Sequence, residues 1–363
     1  MREFSVGMPE AIRKNLHDWF MRNQRCFPWR KRRTAYRVWV AEIMLQQTRT
    51  DQAQPYFERF MRAFPSLKKL AEASQQDVLK QWEGLGYYGR ARKLHQAAQI
   101  IRTKPGGRFP ADYKGILALP GVGPYTAAAI GSLAMKLPYA VVDGNVIRVL
   151  SRLRMVEERL DTAAGKKIFQ RLADQLLDED NPGLHNESMM ELGAICCVPR
   201  RPSCVTCPLN ASCEAYRNHC VYDYPKRGPR AKVPHIQVGA GVLKDARGRI
   251  LIAQRREGDM LGGLWEFPGG KRESGETIRE CVRRELMEEL DVDTEMEDHL
   301  ITVRHAYSHF TMELHAYGGK VVSGTPRPLE CADFAWEMPN DLSAYPMSKA
   351  DDRIRQWLQK KAK

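Results

Sequence analysis

The feature of the sequence that most constrains the fold is a change in hydrophobic periodicity beyond the middle of the chain. Up to about Cys220, apolar residues recur at helical spacing in segments that glycine and proline divide. After His235, the stretches IQVGAGVL and RILIAQRR flank the turn DARG and are typical of two strands. A helical stretch from Thr277 to Leu290 and further strand-like segments follow. The pattern predicts an all-α domain followed by an α+β domain.

The segment between these two regions is a predicted linker. Residues 221–234 contain three prolines and several basic residues, with little apolar content. The length of 363 residues also exceeds what a single hydrophobic core usually organises. We therefore expect one domain over residues 1–220 and a second over residues 235–363.

The net charge of +13 is unevenly distributed. Residues 1–234 carry the whole basic excess, whereas acidic residues slightly outnumber basic ones in residues 235–363. This indicates a polyanion bound mainly by the first half, although a solvated basic surface explains the charge equally well. No apolar run is long enough to cross a bilayer, and residues 1–9 lack the apolar core of a signal peptide. We expect a cytoplasmic protein without a membrane partner.

Four of the nine cysteines have the spacing of metal ligands. They follow the pattern C-x6-C-x2-C-x5-C and are Cys197, Cys204, Cys207 and Cys213. Such a set lets one loop wrap a metal, and thiolates suit zinc as well as an iron–sulfur cluster. Cys196 stands next to the first of them and leaves one ligand assignment open. A disulfide framework is not expected in a cytoplasmic protein.

A glycine-rich turn lies between two helical segments at Leu119–Thr126, which reads LPGVGPYT. Gly121 and Gly123 permit a tight turn whose amides, with that of Val122, can face a phosphate at the start of the next helix. Taken alone, the turn indicates only a connection between two helices. Asp143 follows in AVVDGNVIRVLSR, where it precedes an apolar helical run and can serve as an N-cap.

This hairpin followed by an aspartate resembles the helix-hairpin-helix superfamily of base-excision DNA glycosylases, and the resemblance covers most of residues 1–220. Bifunctional members such as endonuclease III carry a nucleophilic lysine where this chain has Tyr125. Without that amine no Schiff base can form, so the glycosidic bond must be hydrolysed. The chain is therefore most similar to the monofunctional MutY-type adenine glycosylases. Further matches are PWR, AEIMLQQT, WEGLGYYGRAR, VDGN and NESMMELGA.

The resemblance implies that the chain removes adenine from double-stranded DNA where adenine is mispaired with 8-oxoguanine or guanine. Adenine leaves poorly as an anion, so one carboxyl must protonate it while a second supports the developing positive charge on the sugar. Glu42 lies in the apolar stretch VWVAEIML, where burial favours the protonated acid, although a lone glutamate there is otherwise a structural carboxylate. Asp143 would stabilise or covalently trap the sugar. Tyr125 and Asn145 would orient this pair.

Adenine must leave the base stack to reach these groups. The resemblance implies that Gln47 and Tyr87 fill the gap in the duplex, whereas simple core packing is the alternative for the aromatic residues. The implied adenine pocket consists of Trp29, Arg30, Leu45 and Glu187. The implied DNA contacts are Gln47, Thr48, Tyr87, Gly121, Val122, Gly123, Arg200 and Arg201.

The same resemblance implies a [4Fe-4S] cluster on the four spaced cysteines. It also implies a division of the first domain into a six-helix module, residues 30–137, and a cluster subdomain built from residues 1–29 and 138–220. The expected oligomeric state is a monomer, and the expected location is the nucleoid.

The second domain carries a nearly complete Nudix box, with Asp291 where the pattern has glycine. Glu285, Glu288 and Glu289 fall on one helix face and would hold Mg²⁺ against a pyrophosphate if the box were catalytic. A solvated acidic face and a vestige of catalysis on a recognition domain are the other interpretations. Recognition without hydrolysis is favoured, because Asp291 departs from the motif, though a left-handed cap tolerates aspartate. The alternative is a bifunctional glycosylase and hydrolase of oxidised nucleoside triphosphates.

A short segment after the box resembles the loop with which the MutY-type family reads 8-oxoguanine. It consists of Tyr307, Ser308 and His309, in the strand-like context RHAYSHFTMEL. Ser308 would hydrogen-bond the edge of the lesion that differs from guanine. Three other functions are alternatives. The first is a glycosylase for another damaged base, against which the missing hairpin lysine and the reading domain argue. The others are a Nudix pyrophosphohydrolase with a DNA-tethering module, and a lesion-binding protein without catalysis, against which the pair Glu42 and Asp143 argues.

Overall fold

The structure is a computed structural model of the chain that describes Phe4 and residues 8–229, 233–307 and 310–361. The chain divides into two compact units. The first comprises Met1–Ala71 and Gln96–Arg230, and the second comprises Glu72–His95 and Ala231–Lys363. Glu72–His95, which the family resemblance assigns to the six-helix module, thus belongs to the same compact unit as the C-terminal half.

The α-helices begin and end as follows. They are α1 (Met8–Asn23), α2 (Pro28–Lys31), α3 (Ala35–Leu45), α4 (Thr50–Ala63), α5 (Leu67–Glu72), α6 (Gln75–Trp82), α7 (Gly89–Thr103), α8 (Tyr113–Leu117), α9 (Pro124–Met135), α10 (Gly144–Leu153), α11 (Ala163–Leu176), α12 (Pro182–Glu191), α13 (Glu214–Arg217), α14 (Ile278–Leu290) and α15 (Lys349–Lys361). The strands are β1 (His235–Leu243), β2 (Ile250–Gln254), β3 (Trp265–Glu266), β4 (Asp293–Ala306), β5 (Thr311–Ser323) and β6 (Asp333–Glu337). The predicted all-α region followed by an α+β domain is confirmed.

The helices of the first unit are packed so that several helix ends meet. Helix α3 is buried almost all round and packs on α9, while α12 packs on both α9 and α10. A core of α1, α10, α11 and α12 side chains, with Phe169 and Leu176 fully buried, lies beside the cysteine loop. The first residues of α9 and α10 and the last residues of α3 border the same cavity.

The predicted hairpin connects α8 to α9. Gly121 has a φ of 79°, a conformation that glycine adopts without strain, and the Val122 amide donates to the Leu119 carbonyl at 3.1 Å. Gly123 is the N-cap residue of α9, and Pro124 occupies its first turn, where the missing N–H has no cost. The chain thus turns tightly and enters α9 directly.

The sheets of the second unit are formed from non-consecutive strands. One sheet has the order β1-β5-β4, with β1 parallel and β4 antiparallel to β5, and the other has the order β3-β2-β6. Helix α14 packs on β1 and β4, and α15 packs on β4. Strand β6 and helix α15 were not predicted, because the short segment 333–337 and the highly charged segment 349–361 have weak apolar patterns.

Helix α14 begins and ends as the sequence predicts. Thr277 and Glu280 form a capping box at its start. At its end Asp291 has a φ of 57° and pairs with Arg327, so the aspartate occupies the left-handed cap that glycine would take. The departure from the Nudix pattern at this position leaves the helix end intact.

The first part of the predicted linker packs on the first unit. The guanidinium of Arg152 donates to the carbonyls of Val221 and Tyr224, at 2.9 and 3.3 Å, and the ring of Tyr224 is buried. The prolines and basic residues of this segment predicted a linker and gave no sign that Tyr224 is buried. Across the described ranges, the helices are too short or too polar to cross a membrane.

Candidate active site

A cavity of about 540 Å³ opens in the first unit, bordered by α2, α3, α12 and the starts of α9 and α10. The eight predicted catalytic and adenine-pocket residues all border it: Glu42, Asp143, Tyr125, Asn145, Trp29, Arg30, Leu45 and Glu187. The structure thus brings together side chains from five helical elements. The chemistry that this cavity can support depends on how the carboxyl groups of Glu42 and Asp143 are held.

Glu42 is buried, with 6% of its surface exposed, because α3 is enclosed by other helices. The Tyr125 hydroxyl donates a hydrogen bond to its Oε2 at 2.7 Å. Burial raises the pKa of the Glu42 carboxyl to about 7; the Tyr125 hydrogen bond opposes this shift, and the nearby Asp143 adds to it. A large share of Glu42 is therefore protonated near neutral pH, as a general acid requires.

Asp143 is both the N-cap of α10 and a wall of the cavity. Its Oδ1 accepts from the amides of Asn145 and Val146, at 2.9 and 2.7 Å, and its Oδ2 accepts from the Asn145 side chain at 2.8 Å. Burial raises the pKa of Asp143, and these hydrogen bonds oppose the increase. The capping role and the proposed site role thus coincide, because the cap fixes where the carboxylate points.

Arg148 fixes the orientation of the Asn145 side chain, and sequence analysis missed it. Its Nη2 donates to Asn145 Oδ1 at 2.9 Å and to the Gly193 carbonyl at 2.6 Å, while its Nε donates to the Cys197 carbonyl at 2.7 Å. Since arginine offers only donors, the amide oxygen of Asn145 faces Arg148 and its NH₂ group faces Asp143. The i, i+3 spacing from Asn145 was the available signal.

Buried ion pairs border the cavity opposite this pair. Glu191, 2% exposed, accepts from Arg25 Nε at 2.7 Å and from Arg30 Nη2 at 3.0 Å. Glu187 accepts from Arg30 Nε at 3.2 Å and lies 2.5 Å from Arg33 Nη2. Burial raises the pKa of Glu187, and the two arginines oppose the shift. Arg30 is thereby held between two carboxylates; Glu191 could have been inferred from its position one turn after Glu187.

An aromatic wall completes the cavity. Trp29 is 8% exposed, stacks on Phe27 at 4.8 Å between ring centroids, and meets Phe57 edge-on at 5.5 Å. Leu45 borders the cavity from the end of α3. Trp29 therefore combines core packing with a flat apolar surface suited to a planar base.

Four of the eight predicted DNA-contact residues have positive φ values: Gln47, Tyr87, Gly121 and Arg201. Gln47 in the first unit and Tyr87 in the second are exposed, with φ values of 57° and 51°. Positive φ is strained for residues other than glycine, so the surrounding structure must hold these turns in place. The remaining predicted contacts border the cavity (Thr48), form the hairpin (Gly121, Val122 and Gly123) or lie exposed on the cysteine loop (Arg200 and Arg201).

The four spaced cysteines border one cavity in the first unit, together with Cys196 and Arg152. Arg152 Nη1 lies 3.4 Å from the sulfur of Cys197; burial raises the pKa of that thiol and the arginine opposes the shift. Burial likewise raises the pKa of Cys213, to about 11. Within the described ranges, no three metal-binding side chains are placed to hold a single ion. The donor set of four thiols fits a cluster, in which each thiolate binds its own iron.

The three carboxylates of α14 are largely engaged with neighbouring groups. Arg284 Nη1 lies 3.0 Å from Glu285 Oε1 and 2.8 Å from Glu288 Oε2. Glu289 accepts from the Gly269 amide at 3.2 Å, and burial raises the pKa of its carboxyl to about 7. Glu285, Glu288 and Glu289 all lie on α14, as predicted. Within the described part of the chain, no three His, Cys, Asp or Glu side chains are placed to hold one metal ion.

Of the predicted 8-oxoguanine-reading residues, the structure describes only Tyr307. Its amide donates to the Phe310 carbonyl at 2.8 Å, its ring stacks on Phe310 with centroids 4.6 Å apart, and its side chain is hydrogen-bonded to Ser348. Ser308 and His309 lie outside the described residues.

Comparison with known proteins identifies both parts of the chain. Residues 40–176 match the HhH-GPD superfamily of base excision DNA repair proteins, and residues 239–357 match the NUDIX domain family. A thermostable thymine-DNA glycosylase of known structure is similar, with a TM-score of 0.52 and 27% identity, over 58% of this chain and 97% of that chain. Fold and site thus define a helix-hairpin-helix DNA glycosylase with a Nudix domain.

The particular family follows from the curated relatives. The adenine DNA glycosylase of Rattus norvegicus is 33% identical over 90% of this chain and 73% of its own length. The adenine DNA glycosylase of Arabidopsis thaliana is 38% identical over 73% of this chain, which spans about half, 48%, of that relative's length. The chain belongs to the family of adenine DNA glycosylases, enzymes of base excision repair.

Proposed function

We propose that the chain hydrolyses the N-glycosidic bond of adenine mispaired with 8-oxoguanine or guanine in double-stranded DNA, as a monofunctional enzyme. The observation that carries this proposal is the placement of two carboxyl groups, the buried Glu42 and the half-buried Asp143, on one cavity, each held by a neutral donor. Neutral donors orient a carboxyl group without neutralising it. Such a pair suits acid-assisted departure of a base from a sugar.

In the proposed reaction Glu42 protonates a ring nitrogen of the extruded adenine, which then leaves as the neutral base. The Tyr125 hydroxyl bonds one oxygen of Glu42, so the second oxygen can carry the proton. Asp143 stabilises the positive charge that develops on the sugar, or bonds to the sugar transiently, before water completes the hydrolysis. The N-terminal amides of α10 and the Asn145 side chain hold its carboxylate in place.

Tyr125 also accounts for the proposed lack of strand cleavage. Burial raises the pKa of its hydroxyl well above the ordinary value, so the group stays a neutral hydrogen-bond donor. It has no amine with which to form a Schiff base. The product is therefore an abasic site in an unbroken strand.

We propose that Trp29, Arg30, Leu45 and Glu187 form the adenine pocket, with Trp29 stacking on the base. Gln47 and Tyr87 are proposed to fill the gap that the adenine leaves. The hairpin Gly121, Val122 and Gly123 and the exposed Arg200 and Arg201 are proposed to contact DNA phosphates, with Thr48 contacting the DNA at the edge of the adenine cavity. The enzyme would act as a monomer at the nucleoid.

Cys197, Cys204, Cys207 and Cys213 are proposed to hold a [4Fe-4S] cluster, which would cross-link the loop that carries Arg200 and Arg201. Cys196 remains the alternative ligand to Cys197, since both border the cavity. The proposed subdomains are residues 30–137 and residues 1–29 with 138–220, followed by the linker and the Nudix domain.

The Nudix domain is proposed to read 8-oxoguanine through Tyr307, Ser308 and His309, without hydrolysing nucleotides. The ground for this choice is the departure from the Nudix pattern at Asp291, and Arg284 pairs with both Glu285 and Glu288. Ser308→Ala is expected to reduce the preference for A:8-oxoguanine over A:G. Unchanged discrimination would overturn the assignment of Ser308.

The test of the proposed function is adenine release from labelled duplexes that contain A:8-oxoguanine, A:G or A:T pairs. We expect release from the two mismatches, with strand breaks only after alkali treatment. Release from A:T at the same rate would contradict the mismatch preference. Breaks without alkali would contradict the monofunctional mechanism, and the absence of release would contradict the enzyme assignment.

A further inference from the structure

The turn between α6 and α7 presents Tyr87 in a strained conformation. Gly84 and Gly86 have φ values of 90° and 81°, and Tyr87 itself has a φ of 51°. A left-handed conformation is unfavourable at a non-glycine residue and persists only where neighbouring contacts impose it. Inside the turn, the Trp82 indole and the Arg90 guanidinium both donate to the Gly86 carbonyl, at 3.1 and 3.0 Å.

The turn is also held by both main-chain polar groups of one residue in the C-terminal half, Met347. The Met347 amide donates to Glu83 Oε1 at 3.0 Å, and the Met347 carbonyl accepts from the Tyr88 hydroxyl at 3.1 Å. The same hydroxyl accepts from the Gly84 amide at 3.0 Å. Residues on both sides of Tyr87 thus bind the two polar groups of one residue.

The Glu83 contact is charge-assisted and partly shielded from water. Arg355 Nη1 lies 3.3 Å from Glu83 Oε1, and Lys80 Nζ lies 2.6 Å from Glu83 Oε2. The Glu83 side chain is 16% exposed. Hydrogen bonds to ionised, partly buried groups are stronger than neutral ones, so this contact restricts the turn more than an ordinary surface pair would.

Met347 is in turn connected to Tyr307, the described member of the proposed reading segment. Met347 is fully buried in a core against which Tyr307 packs. Ser348, the next residue, hydrogen-bonds the Tyr307 side chain and donates to Asp351 Oδ2 at 2.6 Å. A contact path therefore runs from Tyr307 through Ser348 and Met347 to the turn that carries Tyr87.

We propose that Glu83 and Tyr88 are positioning residues that couple recognition of the oxidised base at Tyr307 to the placement of Tyr87. The inference rests on the proposed function, in which Tyr307 belongs to the reading segment and Tyr87 fills the gap in the duplex. Engagement of 8-oxoguanine stabilises the conformation in which Met347 holds the turn, so that Tyr87 is presented for insertion. With guanine as the opposite base, this additional stabilisation is absent.

The test uses the full-length protein with Tyr88→Phe, Glu83→Gln and the double variant. Tyr88→Phe removes one hydroxyl and keeps the buried ring, while Glu83→Gln keeps an acceptor for the Met347 amide and removes the charge. The measurement is the single-turnover rate of adenine release on A:8-oxoguanine and on A:G. Each single variant should lower the ratio of the two rates by about 10-fold, in the usual range of coupling between sites, with the A:G rate within about twofold of wild type. Tyr222→Phe, which changes a tyrosine that is 69% exposed, is the matched control.

The outcomes separate this inference from the proposed function. Absence of adenine release by the wild-type protein would contradict the function itself, before any variant is compared. A wild-type preference for A:8-oxoguanine that both variants retain would overturn the coupling alone. An equal fall on both substrates would assign Glu83 and Tyr88 a purely structural role and would also overturn it. A double variant no worse than either single variant would support one shared path through Met347.

Discussion

Two groups of carboxylates, which differ in their binding partners, distinguish the glycosylase unit from the Nudix domain. In the first, Glu42 and Asp143 border an open cavity and accept hydrogen bonds from neutral donors: the Tyr125 hydroxyl, the Asn145 side chain and main-chain amides. In the second, the α14 carboxylates are paired with Arg284 or bound by a main-chain amide. Burial raises pKa values to about 7 in both groups, at Glu42 and at Glu289.

A raised pKa alone therefore does not mark a catalytic carboxyl group. Glu42 combines its raised pKa with a cavity that it borders and a hydroxyl donor, Tyr125, on its Oε2. Glu289 has a similar pKa, but its Arg284-bound neighbours already have a cationic partner. The cavity that Glu42 and Asp143 border, and the arginine that pairs with Glu285 and Glu288, therefore separate the proposed active site from the proposed vestige.

The largest expected effect comes from Asp143→Asn. Asparagine caps a helix as well as aspartate does, so α10 should remain intact while the negative charge is lost. We expect adenine release to fall by about 10³-fold or more, with duplex binding retained, because the sugar cation loses its counter-charge. Single-turnover kinetics and a binding titration would measure the two quantities. A variant with full activity would show that Asp143 is a helix cap only.

Glu42→Gln should have a somewhat smaller effect. Glutamine keeps an acceptor for the Tyr125 hydroxyl but cannot protonate adenine. We expect the rate of release to fall by about 10²- to 10³-fold, in the range of general acid catalysis. Glu58→Gln, at an exposed position on α4, is the control. Equal rates in the two variants would remove Glu42 from the mechanism.

The pH dependence should follow the Glu42 carboxyl. Because its pKa is raised to about 7 and the protonated form is the active one, the release rate should fall as pH rises through 7. Well above that pH the fall should approach about tenfold per unit. A pH profile of single-turnover release would test this. A rate that rises over the same range would mean that the essential form of Glu42 is the ionised one.

How far the sequence predicts this molecule depends on whether a feature is local. The cap at Asp143, the capped helix α14 and the left-handed Asp291 involve neighbours in the chain, and the motifs contain them. The pairing of Arg25 with Glu191 joins residues 166 positions apart, and no local pattern encodes it.

The grouping of Glu72–His95 with the C-terminal half could not be predicted for the same reason. It depends on contacts such as those of Glu83 and Tyr88 with Met347, in which side chains bind main-chain atoms. Since every residue has a main-chain amide or carbonyl, the identity of Met347 does not indicate that side chains bind its main chain. Likewise, the Nudix box contains Arg284, but the sequence does not say which carboxylates this arginine pairs with. Only the structure shows that they are Glu285 and Glu288.

The most direct test of the contrast between the two carboxylate groups is a crossed assay of wild type, Glu42→Gln and Glu289→Gln. Each protein is assayed for adenine release from an A:8-oxoguanine duplex and for phosphate release from 8-oxo-dGTP with Mg²⁺. We predict that Glu42→Gln loses adenine release, that Glu289→Gln stays within about twofold of wild type, and that none of the three hydrolyses the nucleotide. Magnesium-dependent hydrolysis that only Glu289→Gln loses would contradict the account and establish a second active site.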